Sequence, residues 1–151
     1  MFLSGMLARR RTRVKADLCA SLARLMRWLP AAAWMGGIFY LSHQSTPLGG
    51  TASDGEAAAV HLGLYVGLAL LLCWALVGGM ASRADAPLWA LAGVTFALTV
   101  LYGVVDEVHQ AFVPGRTASE LDLALDAAGA LVGVALALLA PSLLKASRRR
   151  R

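Results

Sequence analysis

Residues 57–80 read AAAVHLGLYVGLALLLCWALVGGM, a stretch without aspartate, glutamate, lysine or arginine. A helix needs about 20 apolar residues to cross the hydrocarbon core of a bilayer, so this stretch predicts a membrane-spanning helix. Three further apolar runs lie at residues 26–41, 88–105 and 121–144. The composition, 58% hydrophobic and 15% charged, also departs from that of soluble proteins. We therefore predict an all-α membrane protein, an antiparallel bundle of four transmembrane helices.

The N-terminal region has the pattern of a helix that lies on the membrane surface. Its apolar residues form one helical stripe: Val14, Leu18, Leu22, Leu25 and Leu29. Basic residues occupy the other faces, as in amphipathic helices that rest on an anionic leaflet. The alternative is a cytoplasmic extension of the first span. The predicted organisation is a basic N-terminal segment at 1–25, a four-helix transmembrane domain at 26–144 and a basic tail at 145–151.

The positive charges predict the orientation in the membrane. Of the 14 lysines and arginines, all but Arg116 fall on the side of the four-span arrangement that holds both termini. Cytoplasmic segments carry such an excess, so we predict a multi-pass protein of the cytoplasmic (inner) membrane with both termini in the cytoplasm. The basic residues form two terminal blocks without interleaved aromatics, which argues against a nucleic-acid partner. The lipid bilayer is the predicted partner, and the oligomeric state stays open.

The third apolar run ends in a cluster of polar residues at the predicted outer membrane face: Asp106, Glu107, His109, Gln110 and Arg116. Asp106 and Glu107 lie at a helix C-terminus, where the negative end of the helix dipole disfavours carboxylates. Arg116, the single outer cation, is expected to fold back through a Pro-Gly turn and pair with both acids. The alternative is a solvated loop with one exposed salt bridge, worth about 1 kcal/mol or less.

The fourth run carries a polar and small-residue stripe on one helix face: Asp122, Asp126, Gly129 and Gly133. Asp122 follows Ser119 by three residues, so it is also explained as part of a helix cap. Asp126 lies about 9 Å inside the helix, at a depth where ionisable groups usually face the bundle interior. Gly129 and Gly133 form a G-x-x-x-G pattern, which predicts close approach of another helix.

The second run contributes His61 and Tyr65, one helical turn apart, to the same predicted site. Gly63 and Gly67 form a second G-x-x-x-G pattern beside them and predict contact with a neighbouring helix. A single histidine at such a position is more often a hydrogen-bonded interfacial residue than a metal ligand. These residues therefore extend the predicted polar site without assigning it a reaction.

No sequence motif assigns the site a metal or a cofactor. The acids and His109 offer suitable donors, but no spacing matches a zinc or calcium motif, so we predict neither metal nor cofactor. The sequence also lacks the G-x-S-x-G, H-E-x-x-H, P-loop and Rossmann patterns. An enzyme here would depend on carboxylate and histidine acid-base chemistry, and catalytic residues stay unassigned.

Residues 106–116 read DEVHQAFVPGR, with Asp122, Asp126, Gly129 and Gly133 after them. This pattern resembles the D-E-x-H-Q-x-F-V-P-G-R signature and following helix of the VanZ-like family of bacterial membrane proteins. Weaker matches lie at residues 40–45 and 61–65. Family members often carry a lysine shortly before the His61 position, where this chain has Glu56 and alanines.

The resemblance implies a multi-span membrane protein without an established reaction, linked in some members to glycopeptide (teicoplanin) resistance. Three functions stay open. The outer site could engage a cell-envelope component or drug; the chain could be a membrane-embedded enzyme for a lipid or lipid-linked substrate; or it could be a structural, partner-binding module.

Overall fold

The protein is described by a computed structural model that covers residues 14, 15, 17–45, 53–80 and 87–148. The described residues form five helices and no strand: α1 at 17–26, α2 at Leu29–Ser42, α3 at Asp54–Met80, α4 at Leu88–Gln110 and α5 at Glu120–Arg148. The prediction of an all-helical chain is thus confirmed over this part. Residues 1–13, 16, 46–52, 81–86 and 149–151 lie outside it, as do the parts of the predicted N-terminal segment and C-terminal tail that fall there.

Three of the described helices are long and apolar enough to cross a membrane. The candidate spans are Gly55–Val77, Leu88–Gln110 and Glu120–Ala140. Their outward surfaces carry large apolar side chains, including Trp89, Leu101, Val105 and Leu131. Such contiguous apolar surface is suited to lipid rather than to water. The protein is therefore a membrane protein whose helices contact the bilayer.

Helix α2 is shorter than a full span. It contains 14 residues, which at 1.5 Å per residue gives about 21 Å, whereas the hydrocarbon core measures about 30 Å. A turn at Arg27 and Trp28 separates it from α1, and Pro30 occupies its first turn. Proline favours the first turn of a helix because its missing N–H group is not needed there. The apolar run at 26–41 therefore forms a separate short helix after this turn.

Helix α1 lies in the stretch where the apolar stripe predicted an amphipathic helix. Its apolar residues Leu18, Leu22 and Leu25 are exposed and available to a membrane surface. At its end, the Arg27 guanidinium lies 5.6 Å from the centre of the Trp74 ring on α3. A cation at this distance is attracted by the face of the ring, by about 0.5–1 kcal/mol at an exposed site.

The most extensive contact in the bundle is between α3 and α5. An added Cβ at Gly129 would lie 2.6 Å from the backbone oxygen of Leu62, and one at Gly133 would lie 2.7 Å from the backbone oxygen of Val66. Only glycine allows the two backbones to come this close. At Gly63 a Cβ would meet nothing within 4 Å, so the structure corrects the prediction that this glycine packs against a neighbouring helix.

Helix α2 is attached to the bundle through Trp34. The indole N–H of Trp34 donates to the backbone oxygen of Leu64 at 2.9 Å. A Cβ at Gly67 would lie 2.7 Å from the Trp34 ring. The hydroxyl of Tyr102 on α4 donates to the backbone oxygen of Met35 at 2.6 Å. These contacts hold the middle of α2 against α3 and α4.

Candidate functional site

A hydrogen-bonded chain of polar side chains lies where α2 and α4 end. The hydroxyl of Ser42 donates to Asp106 Oδ2 at 2.6 Å, and the amide of Gln110 donates to the same oxygen at 3.0 Å. Arg116 Nη2 in turn donates to Gln110 Oε1 at 2.6 Å. Asp106 is almost fully buried at 2% exposure. The Asp106 carboxylate therefore accepts hydrogen bonds from neutral donors, and Gln110 connects it to the Arg116 guanidinium.

This arrangement corrects the predicted pairing of Arg116 with Asp106 and Glu107. Arg116 N donates to the backbone oxygen of Val113 at 3.0 Å, and Gly115 takes a positive φ of 83°. Glycine adopts this conformation at little cost, so the chain can turn back toward the helix as expected. Gln110 stands between the guanidinium and the acid, however, because its carbonyl accepts from Arg116 while its amide donates to Asp106.

A second cluster lies between α3 and α5. His61 Nδ1 is 3.1 Å from Asp126 Oδ1, and His61 Nε2 is 3.9 Å from Asp122 Oδ2. Asp126 is fully buried, whereas Asp122 is partly exposed. The backbone N–H of Asp122 donates to the Ser119 hydroxyl oxygen at 3.2 Å, so Ser119 caps the start of α5 and Asp122 lies in its first turn. The structure thus brings together the predicted residues of the second and fourth runs.

Glu107 joins this second cluster from α4. One donor atom each from His61, Glu107 and Asp126 lies within 4.8 Å of the others. The backbone N–H of Ser119 donates to Glu107 Oε2 at 2.7 Å. This bond provides an acceptor for the Ser119 N–H group, just before α5 begins. Asp106 and Glu107, adjacent in sequence, therefore point to different clusters because successive helix positions are rotated by about 100°.

The site contains buried carboxylate oxygens that have no hydrogen-bond partner among the described residues. They are Asp106 Oδ1, Glu107 Oε1 and Asp126 Oδ2. The Tyr65 hydroxyl also makes no hydrogen bond of standard geometry there, although Tyr65 interacts with Asp126 electrostatically. An ionised carboxylate removed from water costs several kcal/mol unless a charge or donor compensates it. A buried site with this many open acceptors is typical of a place where protons, a cation or a polar ligand bind.

His109, predicted as part of the outer polar cluster, contacts α2. Its ring stacks on Phe39 with centroids 4.2 Å apart, and its Nε2 lies 3.3 Å from Nδ1 of His43. Phe39 and His43 lie within and directly after α2. His109 therefore joins α4 to α2 at the edge of the site. His43, at the end of the first apolar run, is its partner there.

A pocket of about 80 Å³ lies between α2, α3 and the end of α4. Its lining is mainly apolar and includes Ile38, Leu41, Val60 and Leu64. Five polar residues also line it: Ser42, His61, Tyr65, Asp106 and Arg116. Of these, Ser42 was missed by reasoning from the sequence. Its only signal was the weak match at residues 40–45, because a serine at the end of an apolar helix is otherwise an ordinary boundary residue.

Comparison with protein families identifies the chain. The VanZ/LLP1 family model matches residues 26–141, which contain α2, α3, α4 and most of α5. The chain belongs to the VanZ/LLP1 family. The family resemblance of the DEVHQAFVPGR segment is thus confirmed, and every residue of both clusters lies within the matched range. No curated protein and no solved structure matches the chain. For this VanZ/LLP1 protein, the site itself must therefore indicate the function.

Proposed function

We propose that this VanZ/LLP1 protein spans the cytoplasmic membrane four times and binds the polar group of a lipid or lipid-linked envelope component at its outer face. Protection against glycopeptides such as teicoplanin is the expected phenotype. The observation that carries the proposal is the lining of the pocket, because a mainly apolar surface with a few polar groups, Arg116 among them, suits an amphiphile at the membrane boundary.

The polar residues in the pocket lining suit an anionic headgroup that also has hydroxyl or amide groups. Arg116 lines the pocket and is the single cation on the proposed outer side. A guanidinium binds phosphate or carboxylate through two parallel N–H groups. Its present partner, the neutral Gln110 oxygen, is a weaker acceptor than such an anion. The headgroup would then replace Gln110 as the acceptor for Arg116.

The proposed topology follows from the charges and from α2. With α2 as the first of four antiparallel spans, the basic segments at both ends lie in the cytoplasm and Arg116 lies outside. The short α2 can cross if the bilayer thins locally or if flanking side chains reach the interface. Reporter fusions placed after residue 148 and within the 111–119 turn test this. A C-terminal reporter on the outer side would contradict the four-span arrangement.

Genetic complementation tests the binding function. A deletion strain would receive the wild-type chain, Asp106→Asn, Arg116→Gln or the control Glu56→Gln, with membrane abundance measured for each. Glu56 is exposed and bonds only locally to Ser53. We expect the wild type and the control to restore teicoplanin tolerance and the lipid-linked precursor profile, and the two site variants to fail. Full restoration by both site variants at normal abundance would refute the proposal.

The His61 and Asp126 pair favours a second candidate function, hydrolysis or transfer on a lipid-linked substrate. A carboxylate at Nδ1 fixes the imidazole so that Nε2 can accept a proton, and His61 lines the pocket. His109 does not line the pocket. Incubation of purified protein with labelled lipid-linked precursors tests this function. Turnover that His61→Gln abolishes would support it, and absence of turnover by the wild type would leave binding as the function.

A further inference from the structure

We propose that His61, Glu107 and Asp126 bind one divalent cation of the Mn²⁺, Co²⁺ or Zn²⁺ class. The three side chains come from three different helices, yet one donor atom of each lies within 4.8 Å of the other two. Neighbouring ligands of an octahedral ion stand about 3.0 Å apart and opposite ligands about 4.2 Å apart, for bonds of about 2.1 Å. Because at most one pair among three ligands can be opposite, the side chains must draw inward when the ion binds, by up to about 1.8 Å for a neighbouring pair.

Besides the clustering, two further observations indicate a ligand: the carboxylates are buried, and each has an oxygen atom without a hydrogen-bond partner among the described residues. Asp126 is 0% exposed and Glu107 is 6% exposed. Each has one carboxylate oxygen without a hydrogen-bond partner among the described residues, Oδ2 in Asp126 and Oε1 in Glu107. An acidic group at membrane depth persists where something compensates its charge. The other oxygen of Glu107 is fixed by the Ser119 N–H group, which orients the carboxylate as metal sites require.

The charges around the cluster favour the binding of a cation. Asp122 Oδ2 lies 3.9 Å from His61 Nε2 and adds a further carboxylate at the rim. Arg116, the cation of the neighbouring cluster, is engaged by Gln110 instead of these acids. A divalent ion would neutralise the two buried carboxylates together. Protons are the alternative way to neutralise them, and the two explanations differ in whether metal binds.

The donor set selects the class of ion. One imidazole nitrogen with two carboxylates is softer than the all-oxygen cage of Ca²⁺ or Mg²⁺, and it lacks the sulfur ligands that Cu⁺ prefers. Access exists from outside, because Glu107 lines an open groove between the end of α4 and the start of α5. His61 lines the pocket on the other side. The cluster thus lies between two openings, from which a water or ligand could reach the ion.

The sequence predicted no metal, because the three ligands follow no local spacing. A bound cation would also coordinate an imidazole nitrogen of His61 and restrict its ability to accept and donate protons. Metal dependence therefore separates these two roles of His61. The cation proposal is independent of the pocket's ligand, since binding can be measured with the metal alone.

The test uses the full chain in lipid nanodiscs, stripped by a chelator and titrated with Mn²⁺ alone. Loss of the free-Mn²⁺ electron paramagnetic resonance signal counts bound ions. We expect one ion per wild-type chain, and binding weaker by at least about 10- to 100-fold in Glu107→Gln, Asp126→Asn and His61→Gln, because loss of an outer-shell partner alone has an effect of that size. Glu56→Gln, an acid outside the cluster, should bind as the wild type does. Co²⁺ absorption bands that His61→Gln changes would show the nitrogen ligand.

A second measurement guards against variants that fail to fold. An ion that binds the folded chain raises the thermal unfolding midpoint of the wild type as its concentration rises. Absence of both this rise and stoichiometric Mn²⁺ binding in the wild type would overturn the proposal and assign the buried carboxylates to protons. Equal binding by the wild type and all three ligand variants would also overturn it, because the ion would then lie elsewhere.

Discussion

Alanine at Gly133 should destabilise the bundle, whereas alanine at Gly63 should not. The two glycines belong to identical sequence patterns but differ in structure. At Gly133 the added carbon would lie 2.7 Å from both Val66 O and Ala69 Cβ, where ordinary contact begins at 3.4 Å, so α3 and α5 must part locally by roughly 0.7 Å. At Gly63 the added carbon would meet nothing within 4 Å.

Overpacking of this kind typically costs about 1–3 kcal/mol, or about 5- to 150-fold in the unfolding equilibrium. The obstacle is backbone and a Cβ atom, neither of which can rotate away, so a value within this range is expected for Gly133→Ala. Gly63→Ala removes a flexible glycine from an open helix position and should be neutral or stabilising by up to about 1 kcal/mol.

Denaturant unfolding of the purified variants in a mild detergent, followed by Trp fluorescence, measures the difference. Gly67→Ala serves as an intermediate case, because its obstacle is the Trp34 side chain, which can shift. Equal stability of Gly133→Ala and Gly63→Ala would refute the assignment of the α3 and α5 interface. A larger loss at Gly63 would refute it more strongly.

Three further changes test other contacts. Ser42→Ala removes the 2.6 Å donor to Asp106 and leaves a buried acceptor less satisfied, so a loss of about 1–3 kcal/mol in unfolding free energy is expected. Tyr102→Phe removes the 2.6 Å bond to Met35 O and should cost about 1 kcal/mol, whereas Tyr40→Phe, at an exposed position, should cost nothing measurable. Arg27→Gln removes the cation from the Trp74 ring and should cost about 0.5–1 kcal/mol, which added salt should reduce.

The long apolar runs predicted the helices well, because a membrane-spanning helix is specified by local composition. Residues 57–80 and 88–105 appear within α3 and α4. The run at 26–41 was less informative, since a turn and a proline shorten the helix to Leu29–Ser42. Hydropathy measures how apolar a segment is and does not record where its hydrogen-bonded turns begin.

The sequence predicted part of the site, and the errors in that prediction have one physical cause. Helical periodicity placed Asp126 on an inward face, but it could not show which residue of another helix lies opposite. Thus Arg116 was paired with the acids by charge, although Gln110 is the nearer acceptor. Ser42 was missed for the same reason, because its contact to Asp106 joins residues 64 positions apart.

The polar cluster depends on the close packing of the glycines. Gly129 lies three residues after Asp126, and the backbone that it approaches is Leu62, the residue after His61. Close approach at Gly129 therefore fixes the separation of α3 and α5 one helical turn from the point where the imidazole meets the carboxylate at 3.1 Å. A wider helix pair would separate His61 from Asp126 and open the cluster to lipid. The sequence stripe Asp122, Asp126, Gly129 and Gly133 thus combines charge with the glycines that bring a partner for that charge within reach.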